Sequence, residues 1–196
     1  MIIGLAGKSC SGKNQVAAIL KERGFDTLDM DLMAHDSLNS LAASLSAAFG
    51  SDILDEDDNV DRITLGAKVF NKPDSLQRLE DILYPELHRE LDDYIRNMKE
   101  GTSLIVNAAA LEKADFWKKC DHILWVQAPF LIRLYRAWKR DSRSLENLMS
   151  RFRSQRELKS QYFFSRVDTY IIRNSSTRAV LRKRVDKWIK HLPPER

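Results

Sequence analysis

Gly7-Lys8-Ser9-Cys10-Ser11-Gly12-Lys13-Asn14 combines two glycines, a lysine and small residues at the spacing that curls backbone N–H groups around an anion. The apolar run Ile2 to Ala6 precedes it and a helical pattern follows, the strand–loop–helix setting in which this motif binds phosphate. Gly7 and Gly12 remove the Cβ from the tight curve, and the following helix start contributes about half a positive charge. Lys13 can reach the β- and γ-phosphates of a nucleotide as a point charge. Asn14 stands where the motif normally carries a Ser or Thr hydroxyl that ligates Mg²⁺. An amide oxygen is also a hard ligand. The same side chain could instead cap the helix and leave the metal to substrate oxygens and water.

A second group with chemical potential is Asp29-Met30-Asp31, after the short apolar stretch Phe25 to Leu28. Continued as extended chain, it directs both carboxylates to one side. In open α/β sheets the ligand crevice lies beyond the carboxyl ends of the strands. Asp29 and Asp31 are therefore candidates for a general base and a partner of metal-bound water. A compatible alternative is that Asp31 caps a helix starting at Leu32. Arg133, Arg136, Lys139 and Arg140 make the other faces of a predicted helix strongly basic, and for Arg136 and Arg140 a solvated surface is the alternative to phosphate contact. The four histidines have no metal-like spacing, and Cys10 and Cys120 form no ligand pattern and are expected as reduced thiols. Trp117, Trp125, Trp138 and Trp188 are expected in the core.

Holding these groups requires alternating buried strands and helices. The 196 residues are 43% hydrophobic and 31% charged, enough for one core carrying an insertion. Continuous apolar runs at Leu104 to Asn107, Ile123 to Val126 and Tyr170 to Ile172 fit a parallel sheet covered on both faces. Helices are expected around Val16–Leu20, over Leu38–Phe49, from Arg62 to Phe70, and along Leu76–Ile95 with a kink or break near Tyr84 before Pro85. Further helices are expected with a core stripe of Phe130, Leu134 and Trp138, around Leu145–Phe152, and along Leu181–Leu192. Asp52 to Asp61 reads as a solvated acidic turn, lacking the ligand spacing of a calcium loop. A net charge of +4 is too small to argue for nucleic acid. No apolar stretch approaches the roughly 20 residues of a membrane span, so a cytoplasmic chain with no membrane partner is expected. No N-K-x-D element for guanine is present.

Taken together, the motifs resemble the dephospho-CoA kinase family of P-loop kinases over nearly the whole chain. Ile3-Gly4-Leu5-Ala6-Gly7 and Leu28-Asp29-Met30-Asp31-Leu32-Met33-Ala34 match I-G-L-T-G and V-I-D-A-D-x-[IL]-A. Phe49 to Leu54, Asp61 to Phe70 and Leu79 to Pro85 match F-G-x-x-I-L, D-R-x-x-L-[GA]-x-x-V-F and L-x-x-I-L-H-P, the most diagnostic block. Val126-Gln127-Ala128-Pro129, Arg136, Arg140, Gln155 and Asn174 fall at later family positions. The chain departs from the pattern at Asn14, at Tyr84 in place of His, and at Asn107-Ala108-Ala109-Ala110-Leu111 in place of D-x-P-L-L.

The resemblance implies a three-layer α/β P-loop kinase fold, with a five-stranded parallel sheet flanked by helices, a helical insertion and a helical lid. Residues 1–37 and 100–196 would form the nucleotide-binding core, with a lid at about 140–165, and residues 38–99 the substrate-binding insertion. The implied reaction is phosphorylation of the ribose 3′-hydroxyl of dephospho-CoA by ATP with Mg²⁺, the last step of CoA synthesis. The implied nucleotide contacts are Gly7, Cys10, Ser11, Gly12, Lys13, Asn14, Gln15 and Asn174. Asp31, or else Asp29, would take the hydroxyl proton, with Lys13, Arg136 and Arg140 on phosphates. Arg62, Leu79, Tyr84 and Pro85 would serve the acceptor, and Asn14 would touch Mg²⁺ through the nucleotide. A monomer or weak oligomer is implied. The alternatives are a kinase for another small acceptor, such as a nucleoside monophosphate, and a nucleotide-binding regulator with weakened Mg²⁺ ligation.

Overall fold

A computed structural model describes residues 1–69, 72–109, 111–140, 149, 152–153, 155 and 158–192. These divide into two compact units, Met1–Asp29 with Lys99–Arg196, and Met30–Met98.

The first unit is built on five parallel strands, β1 (Ile2–Ala6), β2 (Asp26–Asp29), β3 (Leu104–Asn107), β4 (His122–Gln127) and β5 (Asp168–Arg173), in the order β2-β3-β1-β4-β5. β1 is central, and Ile3 and Leu5 are fully buried, as are Leu104, Ile105 and Val106 beside them. This is why the strands read as unbroken apolar runs rather than alternating ones. Helices α1 (Lys13–Lys21) and α8 (Arg178–Ile189) cover one face. Their Val16, Ile19, Leu20, Leu181, Val185 and Trp188 close over Ile3, Leu5, Ile105, Leu124, Val126 and Ile172. Burying whole aliphatic side chains stabilises this layer by about 1.5–3 kcal/mol each before entropy is counted. The register sets Leu5 opposite Asn107, and Asn107 opposite Asp29, so the ends of three adjacent strands lie level. This unit also carries α6 (Phe130–Arg140), the short α7 (Gln161–Phe164) and a 3-10 turn at Phe116–Lys119. The expected helix around Leu145–Phe152 falls largely outside the described residues, as do Phe70, Ala110 and most of the expected lid.

The second unit is helical: α2 (Met30–Ser40), α3 (Ala42–Phe49), α4 (Arg62–Val69) and α5 (Pro73–Asn97). Leu38, Leu45, Ile53, Val60, Leu65 and Val69 form its core. The single helix expected over Leu38–Phe49 is two, parted at Leu41, whose φ of −98° and ψ of 8° leave the helical basin. Asp29-Met30-Asp31 does not continue extended. Met30 already opens α2, and Asp31 lies in its first turn, where a carboxylate complements the positive end of the helix dipole.

Pro85 does not break α5, which runs through it for 25 residues. Proline forfeits one helical hydrogen bond. The apolar stripe of Leu79, Ile82, Leu83, Leu87 and Leu91, partly or wholly buried in this unit, holds the helix across the gap. The acidic turn is ordered by its own side chains. Asp55 accepts the N–H groups of Asp57 and Asn59, and Asp61 accepts those of Ile63 and the Thr64 hydroxyl at the start of α4.

Candidate active site

The phosphate loop leaves β1 at Gly7, where a Cβ would lie 2.5 Å from the Val126 carbonyl, so only glycine lets β4 pass this close. Gly12 caps α1 with φ of +98°, and a Cβ there would run into the Asn174 amide. No side chain caps the start of α1, where the helix dipole favours an anion. Cys10 holds φ of +60°, a left-handed conformation that a non-glycine residue adopts at some energetic cost. Lys13 donates back across the loop to the Gly7 carbonyl at 3.3 Å. Gln155 reaches the loop as well, its Oε1 accepting the Ser9 N–H at 2.6 Å.

Arg136 and Asn174 clamp the loop from the side. Arg136 donates to the carbonyls of Cys10 (3.4 Å) and Ser11 (3.2 Å) and to both the carbonyl and Oδ1 of Asn174 (3.1 and 3.3 Å). Asn174, buried just past β5, donates to the Ser11 carbonyl at 2.8 Å and to Gln15 Oε1 at 3.2 Å. Arg133 adds a bond to the Ser9 carbonyl at 3.4 Å and sits 4.9 Å above the Phe152 ring.

The core stripe expected on α6 holds only at Leu134, which packs against Ala137 and Phe152. Phe130 and Trp138 are 43% and 62% exposed, whereas Arg133 and Ala137 are buried. The helix faces loop carbonyls, which need N–H donors, and guanidinium forks supply several in fixed geometry. Burial lowers both guanidiniums from their ordinary value, the nearby Cys10 acting in the opposite sense, and both remain cations. Of the tryptophans, Trp125 and Trp188 are in the core as expected, and Trp117 is half-buried.

Strand order and register bring a further group to the loop. Asn107 Nδ2 donates to Asn14 Oδ1 and to Asp29 Oδ2, each at 3.3 Å. Its own Oδ1 is buried without a partner. Ser11 Oγ is likewise buried and unpaired within the loop. Glu112 lies close enough to feel the charge of Lys13. Burial raises its carboxyl above the usual range, against its own backbone hydrogen bond and the charges of Lys113 and Lys13. A cavity of about 350 Å³ opens beside the loop, lined by Lys8, Ser11, Gln127, Arg133 and Gln161 among others.

Gly7, Cys10, Ser11, Gly12, Lys13, Asn14, Gln15, Arg136 and Asn174 thus meet around one loop. Asp29 is tied to it through Asn107, and Arg140 ends α6 at an exposed position. Asp31, Arg62, Leu79, Tyr84 and Pro85 belong to the second unit. There Arg62 meets His35 Nδ1 at 3.1 Å, on a cavity of about 500 Å³ that Asp36, Asn39 and Asp55 also line. Leu79 packs against that unit's core. Sequence reasoning gave Glu112 no place here, counted Arg133 only in a basic helix, and met Asn107 only as a departure from the family pattern. Asn107 carried a signal as a polar residue ending a buried strand beside the loop.

Among the described residues no group of three or more His, Cys, Asp or Glu could hold a metal ion. The oxygens of Asn14, Asp29 and Asn107 nevertheless suit a hard cation carried by a nucleotide, and the unpaired Asn107 Oδ1 is such a donor.

A buried strand, a glycine-curled phosphate loop and a helix on a parallel sheet of this order define a P-loop kinase fold. A Thermus thermophilus protein, TT1252, superposes with a TM-score of 0.82 at 25% identity, covering 98% of both chains. The dephospho-CoA kinase of Campylobacter jejuni shares the fold with a TM-score of 0.65 at 24% identity, covering 96% of this chain and 95% of that one. The dephospho-CoA kinase of Treponema denticola is 31% identical over 97% of this chain and 89% of its own length. That of Aquifex aeolicus is 31% identical over 97% and 96%. The family model for dephospho-CoA kinase matches residues 1–179, and the chain belongs to that family.

Proposed function

We propose that the chain transfers the γ-phosphoryl group of ATP to the ribose 3′-hydroxyl of dephospho-CoA, giving CoA and ADP. The observation that carries this reading is the family match over residues 1–179 together with a phosphate loop at its start that keeps both glycines and the lysine. In the reaction the 3′-oxygen bonds to the γ-phosphorus, the bond to the β–γ bridging oxygen breaks, and the hydroxyl proton passes to a carboxylate. Such chemistry asks the protein for positioning and charge rather than covalent participation.

In this reading the loop amides and Lys13 hold the β- and γ-phosphates. Asn174 and Gln15 fix the loop beside the adenine side, and Arg136 keeps it curled. Arg140 would meet phosphate as the lid closes. Asp31 is taken as the proton acceptor by its position in D-x-D, with Asp29 as the alternative. Arg62, Tyr84 and Pro85, with Leu79 supporting them from the core, would serve the acceptor. Mg²⁺ brought with ATP would neutralise phosphate charge, and Asn14 and Asp29 are the residues that would hold it. The same reading assigns the enzyme to the cytoplasm. Among the described residues no helix is long and apolar enough to cross a membrane.

The test is ADP release with dephospho-CoA or a nucleoside monophosphate as acceptor. Dephospho-CoA should be strongly preferred. Asp31→Asn should lower kcat by about 10²–10⁴, the usual worth of general base catalysis. Lys13→Ala should abolish turnover. Equal turnover of a nucleoside monophosphate would overturn the acceptor assignment. An Asp29→Asn loss with Asp31→Asn intact would move the base to Asp29.

A further inference from the structure

β5 stands last in the strand order, so its outer edge has no strand beside it among the described residues. The N–H of Asn174, just past β5, donates inward to the Gln127 carbonyl of β4 at 2.7 Å. Alternate residues of a strand turn their backbone groups to opposite sides, so Thr169, Ile171 and Arg173 present theirs to the open edge. The Arg184 guanidinium of α8 already donates to the Arg173 carbonyl there. Side chains alternate as well. Tyr170 and Ile172 pack in the core under α8, whereas Ile171 faces the other way and is 42% exposed.

Between this edge and α8 lies a groove of about 660 Å³, a volume in the range of ligand sites. Arg184, Lys187 and Trp188 share one face of α8 at spacings of three and four, and His191 follows just past its end. With Arg173 they give the groove four basic side chains, and none of the described residues lining it is acidic. His191 Nδ1 lies 2.7 Å from the Lys187 carbonyl, so that nitrogen carries a hydrogen. Trp188 is 6% exposed, and its buried Nε1–H has no acceptor. The groove is thus rich in donors and short of acceptors, anionic ones above all.

We propose that this groove takes an extended acidic segment of another protein, added as a further strand on the open edge of β5. Its carboxylates fall on alternate residues and turn toward α8, where Arg184, Lys187 and His191 meet them. Arg184 and His191 are separated by roughly 10 Å at helical rise. Alternate strand residues lie about 7 Å apart, so a pair of carboxylates fits between those two side chains. The intervening residues are apolar and lie beside Ile171 on the opposite face. Pairing displaces Arg184 from the Arg173 carbonyl and frees its fork for a carboxylate.

The probe is a short fluorescent peptide alternating glutamate and valine, titrated against the whole chain and read by anisotropy at low salt. It should bind about tenfold more tightly than a peptide of the same composition with its glutamates in one block, which cannot turn them all to one face. Methylating the backbone nitrogens of all the glutamates, or of all the valines, blocks one edge of the peptide or the other. One of these two peptides should lose about tenfold in affinity, because its ladder to β5 lacks donors, and the other should not. Arg184→Glu combined with Lys187→Glu should cost about tenfold by setting like charges together. Lys13→Ala should leave peptide binding within about twofold, since the phosphate loop is not the site. Two methylated peptides that both bind like the parent, or a charge-reversed protein that binds like wild type, would overturn the proposal. So would binding lost in Lys13→Ala, which would place the peptide on the phosphate loop, or a wild type that binds no peptide. If the charge-reversed protein does not fold, the methylated peptides on wild type decide alone.

Discussion

Arg136 is the cation that ties three separate segments together, and its removal has a calculable consequence. Its fork makes four hydrogen bonds of 3.1 to 3.4 Å to Cys10, Ser11 and Asn174. Hydrogen bonds to charged groups contribute about 1.5–3 kcal/mol net, and only two of these are 3.2 Å or shorter. Two effective bonds, reduced because water can reach part of the guanidinium, come to roughly 3 kcal/mol. For a chain of this size about 1 kcal/mol moves the melting temperature by 2–4 °C, so Arg136→Ala should melt roughly 6–12 °C lower. Arg136→Lys should recover less than half of that. An ammonium is a point charge without the planar fork and does not span the loop carbonyls and Asn174 together. Thermal unfolding followed by circular dichroism, with ATP affinity by calorimetry, reads both effects. The loop is the phosphate site, so affinity should fall with stability in the Ala variant. A melting temperature within 2 °C of wild type, or a lysine variant as stable as the parent, would refute the clamp.

Two further predictions rest on buried groups. Burial and the neighbouring Asp121 push the Cys120 thiol up to about 12, so at pH 8 about one molecule in 10⁴ carries the thiolate there. Iodoacetamide should label half-exposed Cys10 and spare Cys120 in the native protein, and ATP should slow the labelling. Native labelling of Cys120 at the rate of Cys10 would contradict the packing. Glu112 has its carboxyl raised by burial, so the folded chain binds that proton more tightly than the unfolded one. Its stabilisation is complete below the unfolded value of about 4.3 and is lost as pH rises through the folded value. Glu112→Gln should therefore be more stable than wild type at pH 7–8, by roughly 0.5–1 kcal/mol for relief of one poorly satisfied buried group. The difference should shrink toward pH 4 in paired denaturation curves, and a constant difference across that range would sink the assignment.

Much of this molecule was legible in its residues because the signals were local. A glycine pair at fixed spacing, four apolar runs and a basic helix need no distant partner to be recognised. Some of the readings that failed depended on what lay opposite. The stripe of Phe130, Leu134 and Trp138 has the right period for a core face, but of the three only Leu134 packs inward, beside Arg133 and Ala137. Periodicity gives a helix a face, and only the neighbouring surface says whether that face needs hydrocarbon or donors. Of the kink or break expected near Tyr84 the break does not occur, the local rule being overridden by the apolar stripe on both sides of Pro85.

By itself, then, the sequence determined the phosphate loop, the parallel α/β sheet and the family to which the chain belongs. These follow from hydrophobic periodicity, from glycine's freedom at positive φ, and from motifs short enough to be read along the chain. The tertiary structure alone decided that Arg136 clamps the loop to Asn174, that Glu112 lies near Lys13, and that Asn14, Asp29 and Asn107 share one hydrogen-bonded cluster. The residues of that cluster are 78 and 93 positions apart from Asn107 in the chain. They meet because β2, β3 and β1 end level in the sheet, and strand order is set by packing the whole core rather than by any local stretch.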